Sequence, residues 1–280
     1  MIENAPGAAE NRSPYIPNPT VHPWRRMVSI GDSFTEGIGD PYPDRPGEHR
    51  GWADRVAAVL SSQVDDFAYA NLAIRGKLIR PIVEQQLEPA LALKPTHLSF
   101  NGGGNDILRP RADVEVIADL FSHVLRRCDE EGVTLILLSG ANPTGQLPMG
   151  RVMSRRGDVL SQAVERRIVD RPELVRALNW YDAELGMPPF WSEDRLHMNS
   201  RGHHRVAARV LDAVGVPRPE LWWNLPELPD QGRLRGARYY REHVGPWVRR
   251  RLTGTSSGDG REPKFGGGWT TLQPASGDAA

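Results

Sequence analysis

The sequence predicts a three-layer α/β/α domain with about five parallel strands and helices on both faces, and three observations lead there. Short apolar runs alternate with segments of helical periodicity from about residue 25 to residue 216. The run Val133-Thr-Leu-Ile-Leu-Leu138 is apolar on both of its faces, as a strand covered from above and below has to be. The segments between the runs are long enough for right-handed crossover connections.

The first strand is the run Met27 to Ile30, after which Gly31 and Asp32 force a turn that presents Ser33 at the strand's end. Gly37 to Arg50 is rich in glycine, proline and aspartate and reads as a loop beside that serine. A helix starts near Gly51, with Trp52, Val56, Val59 and Leu60 on one face. The second strand spans Phe67 to Asn71 and runs into Leu72-Ala-Ile-Arg-Gly76. Lys77 to Leu93 is helical but interrupted by Pro81 and Pro89. Thr96 to Phe100 is the third strand, followed by Asn101-Gly-Gly-Gly-Asn105-Asp106, where three glycines let backbone approach a ligand closely.

Asp113 caps an amphipathic helix that stops near Glu131 at Gly132. Val133 to Leu138 is the fourth strand. After a polar loop around Asn142 to Gly145, a helix from about Ser154 to Val169 turns Val159, Leu160, Ala163, Val164 and Ile168 inward. A weaker fifth strand, Val175 to Tyr181, leads through a loop, Leu185 to Met198, to a helix from Ser200 that turns Val206, Ala207, Val210, Leu211 and Val214 inward.

The chain accordingly divides into a flexible arm over residues 1–24, the α/β domain over 25–216, a Trp/Arg/Pro-rich extension over 217–252, and a disordered tail over 253–280. Among its 280 residues, 35 basic side chains balance 35 acidic ones, which argues against bulk electrostatic binding to nucleic acid. The single cysteine, Cys128, falls on the apolar stripe Val114, Ile117, Phe121, Val124, Leu125 and reads as core. The N-terminus has neither a basic nor an apolar leader region, and no run approaches the length of a membrane span, so a cytoplasmic location is expected.

Ser33 alone is either a nucleophile or part of an ordinary capped turn. The decisive feature lies before the last helix, in Ser192-Glu-Asp194-Arg-Leu-His197-Met-Asn. A serine hydroxyl needs a base, and an imidazole base works best when a carboxylate fixes its tautomer; Asp194 and His197, three apart on a tight turn, can supply both. Donors for a developing oxyanion are at hand in the backbone N–H groups of Ser33 and Gly76 and the side-chain amide of Asn105. All fall at strand ends on one side of the expected sheet. Asp106 reads as a loop brace. His203 and His204 could suggest zinc, but no completing ligand spacing is present, and they read as helix surface. The glycine run lacks the lysine and Ser/Thr of a phosphate-binding loop.

These blocks resemble those of the SGNH hydrolases, the GDSL-type lipases and esterases. The resemblance covers Gly31-Asp32-Ser33 with Phe34 to Gly37, then Gly76, then Gly103-Gly104-Asn105-Asp106, then Asp194-Arg195-Leu196-His197, in the family's order. It implies a flavodoxin-like α/β/α fold that uses neither metal nor organic cofactor. Ser33 is then the nucleophile, His197 the base and later the acid, and Asp194 its orienting partner, with Ser33, Gly76 and Asn105 forming the oxyanion hole. The implied activity is hydrolysis of a small-molecule, lipid or sugar ester through an acyl-enzyme. Rival readings are a thioesterase or lysophospholipase, a carbohydrate deacetylase, and a non-catalytic binding module. In the extension, Leu221-Trp222-Trp223 either lies across core or forms a lid, and Arg233, Arg235, Arg238, Arg241 and Arg249 to Arg251 read as a solvated helix.

Overall fold

The structure, a computed structural model, describes residues 25–64, 66–147, 150–223, 225, 236–253 and 255–272. Five parallel strands, β1 (Arg26–Ile30), β2 (Ala68–Asn71), β3 (His97–Phe100), β4 (Thr134–Leu138) and β5 (Val175–Ala177), form one sheet in the order β2-β1-β3-β4-β5. Val28 pairs with Ala70 on one side and Leu98 on the other, which fixes the register of the centre. The chain leaves β1 toward β2 and returns to β3 on β1's opposite side. The C-terminal ends of β1 and β3 therefore flank a topological switch point, where an open parallel sheet leaves a crevice.

The helices follow in order: α1 (Ser33–Glu36), α2 (Gly51–Gln63), α3 (Ile79–Ile82), α4 (Glu88–Ala92), α5 (Gly104–Ile107), α6 (Val114–Glu130), α7 (Gly150–Ile168), α8 (Ser200–Ala213), α9 (Gly236–Tyr239) and α10 (Gly245–Thr253). Strand alternation splits the core in two. Met27, Tyr69, Ile136 and Leu138 pack under α2 and α8, whereas Val28, Ile30, Leu98, Phe100 and Leu137 pack under the α3–α4 segment, α6 and α7. Cys128 is buried in the second of these layers. Among the described residues no helix is long and apolar enough to cross a membrane.

Between the two prolines the expected interruption takes the form of a π-helical turn at Val83–Leu87, because Pro89 has no N–H to donate. Three expectations need correction. The fifth strand ends at Ala177 rather than Tyr181: the Ser139 hydroxyl accepts the N–H groups of Asn179 and Trp180 and turns the chain away. Val159 is 43 % exposed, since α7 faces its neighbours through the narrower arc of Gly157, Leu160 and Ala163. His203 and His204 are buried, because α8 packs against α2 along this face.

The tail also departs from expectation. Residues 255–272 run back over the domain, and Thr270 exchanges two backbone hydrogen bonds with Tyr69, closing the free edge of β2. Leu272 is buried, and Lys264 Nζ reaches the Arg50 carbonyl and Asp54 Oδ2, both at 2.9 Å. In the extension, Trp222 is buried beside the His204 ring and lies across core. Arg238 and Arg241 pair with Glu242 on an exposed helix face. Residues 1–24, Arg233 and Arg235 lie outside the described residues.

Candidate active site

The turn after β1 is built by its own polar groups. Asp32 caps α1, its Oδ1 accepting the Phe34 N–H at 3.1 Å while its carbonyl accepts those of Thr35 and Glu36. Ser33, the first residue of α1, is thereby held at the mouth of the crevice. Below it, Gln86 from the π-helical turn accepts the Gly31 N–H at 2.8 Å and donates to the Gly31 carbonyl at 3.0 Å. A buried amide thus clamps the backbone on the strand side of the serine. Glu36 binds the Arg75 N–H and guanidinium, and Asn71 donates to the Thr35 carbonyl, so the turn after β2 is tied to α1.

The loop before α8 is equally local in its logic. Asp194 Oδ1 accepts the N–H groups of Leu196 and His197, both at 3.0 Å, with Arg195 in the left-handed region at φ +60° between them. Asp194 Oδ2 lies 2.6 Å from His197 Nδ1. Burial alone would raise the Asp194 carboxyl, but His197 and the three hydrogen bonds outweigh it and bring it down to about 2. An ionised partner of this kind keeps the proton on Nδ1 and leaves Nε2 as the acceptor nitrogen. From outside, the Tyr239 hydroxyl donates to the Asp194 carbonyl at 3.2 Å and the Arg195 guanidinium stacks on the Tyr239 ring.

Asn105 sits on α5, directly after β3. Gly103, the N-cap of α5, is in the left-handed region at φ +86° with the Leu160 and Ile117 side chains close against it, a backbone conformation that favours glycine. The Asn105 amide donates to Asp32 Oδ2 at 3.2 Å and to the Lys77 carbonyl at 3.0 Å. Burial raises the Asp32 carboxyl to about 6 against the lowering effects of the Phe34 N–H and His197. Asp106 accepts the Ile79 N–H at 3.0 Å, the brace its position suggested.

Ser33, Asn105 and His197 line one cavity at the switch point, with Asp194 behind the histidine. Gly76 does not line it. It adopts φ +76° beneath Ser256 and Ser257 of the returning tail. Sequence reading did not single out Gln86, and it placed on the helix surface His203, whose Nδ1 accepts the Trp52 N–H and whose Nε2–H donates to the Ile38 carbonyl. Burial lowers His203 to about 4, so it is a neutral brace. Arg55, fully buried, donates to both Asp40 carboxylate oxygens and to Ser200, tying the loop before α2 to α8.

A family model described as the GDSL-like lipase/acylhydrolase family matches residues 29–205, more than half of the chain. No curated protein matches. Among solved structures, a catalytic mutant of an acetylxylan esterase from Geobacillus stearothermophilus is 19% identical, with a TM-score of 0.56 over 72% of this chain and 97% of that one. An α/β hydrolase from the Lake Arreo metagenome is 22% identical, with a TM-score of 0.54 over 68% and 95%. The esterase EstA from Pseudoalteromonas sp., inhibited by monoethylphosphonate, is 16% identical, with a TM-score of 0.52 over 67% and 94%. At these identities the structures speak for the fold, and the family match for the lineage: the chain belongs to the GDSL-like lipase/acylhydrolase family.

Proposed function

We propose that the protein hydrolyses carboxylic esters through an acyl-enzyme on Ser33. The observation that carries this reading is the meeting of Ser33, Asn105 and the Asp194-held His197 on one cavity, contributed by three segments far apart in sequence. Ser33 Oγ attacks the ester carbonyl carbon as His197 Nε2 takes its proton, and the Asp194 carboxylate stabilises the imidazolium. The carbonyl oxygen becomes an oxyanion facing the Ser33 N–H and the Asn105 amide, which exchanges a resting partner for the substrate. Collapse of this intermediate breaks the C–O bond, and the alcohol leaves with the proton from His197. Water then repeats the attack, with His197 again as base, and frees the acid and the serine. These steps use no metal or organic cofactor.

A fluorophosphonate probe tests the assignment. The wild-type protein is expected to label, Ser33→Ala to lose labelling entirely and His197→Ala to lose most of it. An unlabelled wild type that is folded would instead fit a binding module on a hydrolase scaffold.

A further inference from the structure

The cavity does not stop at the reactive groups. From Ser33 and His197 it continues past the end of β4 into the space beneath α6 and α7, and the whole cavity, the part beside the reactive groups included, has a volume of about 160 Å³. Its inner walls are mostly apolar, formed by Phe121, Leu137, Leu160, Val164, Ile168 and Trp180, with Ser161 and Glu165 of α7 also on the lining. The walls are also fixed. Phe121 packs on Phe100 with ring centres 4.9 Å apart, and the Trp180 indole N–H donates to Asp158 Oδ1 at 2.8 Å. Gly157 faces that indole, and a Cβ there would overlap the ring, so the helix has left a seat for the tryptophan.

Resting on the ester-hydrolase reading above, we infer that this inner chamber holds the acyl chain of the substrate and sets its length at a medium chain. An apolar cavity of about 150 Å³ stays dry and takes up benzene, so a cavity of this size, part of it taken by the reacting ester, suits a chain of at most about six carbons. Two arguments assign the acyl rather than the alcohol side. The acyl group stays bound to Ser33 while the alcohol must escape before water can attack, which favours the enclosed chamber for the group that remains. His197, which protonates the alcohol, is partly open to solvent and marks the exit.

The test is a series of p-nitrophenyl esters, in which the leaving group is constant and only the acyl chain changes. A methylene moved from water into an apolar wall contributes about fourfold in kcat/KM, so hexanoate is expected to exceed acetate by at least about tenfold. Decanoate is expected to do no better than hexanoate. Val164 is half-buried on α7, and Val164→Phe should fill the chamber from its outer side and lower the hexanoate-to-acetate ratio by about tenfold. If wild-type protein turns over acetate as fast as hexanoate while Ser33 still takes the fluorophosphonate, the chamber assignment falls and the esterase reading stands. A ratio unmoved in Val164→Phe overturns the assignment in the same way. If the wild type neither labels nor turns over any ester, the failure lies in the esterase reading itself.

Discussion

Asp32→Asn separates what the turn costs from what it does. The Asp32 carboxyl is buried beneath the candidate nucleophile and titrates at about 6 rather than its ordinary 3.8. At about 1.36 kcal/mol per unit, keeping it ionised in the folded protein costs about 3 kcal/mol. With the folded value raised, the fold is relatively favoured below pH 3.8, and that advantage is lost as pH rises through about 6. The cost is therefore close to its full size at about pH 7.5 and about half that at pH 5. Asparagine removes the charge, yet its amide nitrogen faces the Asn105 amide donor where Oδ2 had accepted, losing about 1 kcal/mol at every pH. Asp32→Asn should thus be more stable than wild type by about 2 kcal/mol at neutral pH, with the difference shrinking on acidification. Hydrolysis should fall by about tenfold to a hundredfold, because Asn105 loses the anchor that aims it. Urea denaturation of both proteins at the two pH values, alongside rates on a p-nitrophenyl ester, reads each effect. Parallel stability profiles for variant and wild type would refute the raised carboxyl, and an unchanged rate would refute its hold on Asn105.

Two further perturbations probe the frame around the site. Arg55→Met leaves the Asp40 carboxylate buried without its bidentate partner and should lower unfolding free energy by about 3 to 5 kcal/mol; a loss below about 1 kcal/mol in urea titration would show that water or Arg50 takes over. Lys264→Met removes the two bonds by which the tail grips Asp54 and the Arg50 carbonyl, and should cost about 1 to 3 kcal/mol and speed proteolysis between residues 255 and 272; unchanged cleavage would mean that the Thr270–Tyr69 pairing alone retains the segment.

The strands were legible because each has both faces covered. An uninterrupted apolar run such as Val133 to Leu138 leaves few alternatives, and all five expected strands are present. Helix faces were less legible where the partner defines the buried arc. Val159 belongs to the apolar set of α7 by composition, but α6 meets the turns carrying Gly157, Leu160 and Ala163, and position 159 points elsewhere. The tail misled for a different reason. Its glycine content matches that of a chain too poor in apolar groups to fold alone, yet it needs no core of its own when the edge of β2 offers unpaired backbone and Leu272 finds a site already built.

The same distinction separates the reactive groups from their supports. A nucleophile, a base and an orienting carboxylate can come from only a few residue types, so Ser33, Asp194 and His197, the groups proposed for these roles, stand out even when each is unremarkable alone. A clamp on the Gly31 peptide, by contrast, needs only some donor and some acceptor in reach. Gln86 supplies both, but a glutamine on a helix ordinarily points to solvent, and only the π-helical turn forced by Pro89 rotates it inward. His203 is hidden likewise, since a histidine serving as a neutral brace between the Trp52 amide and the Ile38 carbonyl has the same letter as one awaiting a metal or a proton. Gly76 is legible for a different reason. A glycine at φ +76° satisfies a tight turn under the Ser256 and Ser257 side chains, so its letter is demanded by backbone geometry whatever its N–H does. Residue type locates chemistry when few types can perform it, and becomes ambiguous where geometry, here a shifted helix ladder or a covering segment, decides what an ordinary side chain does.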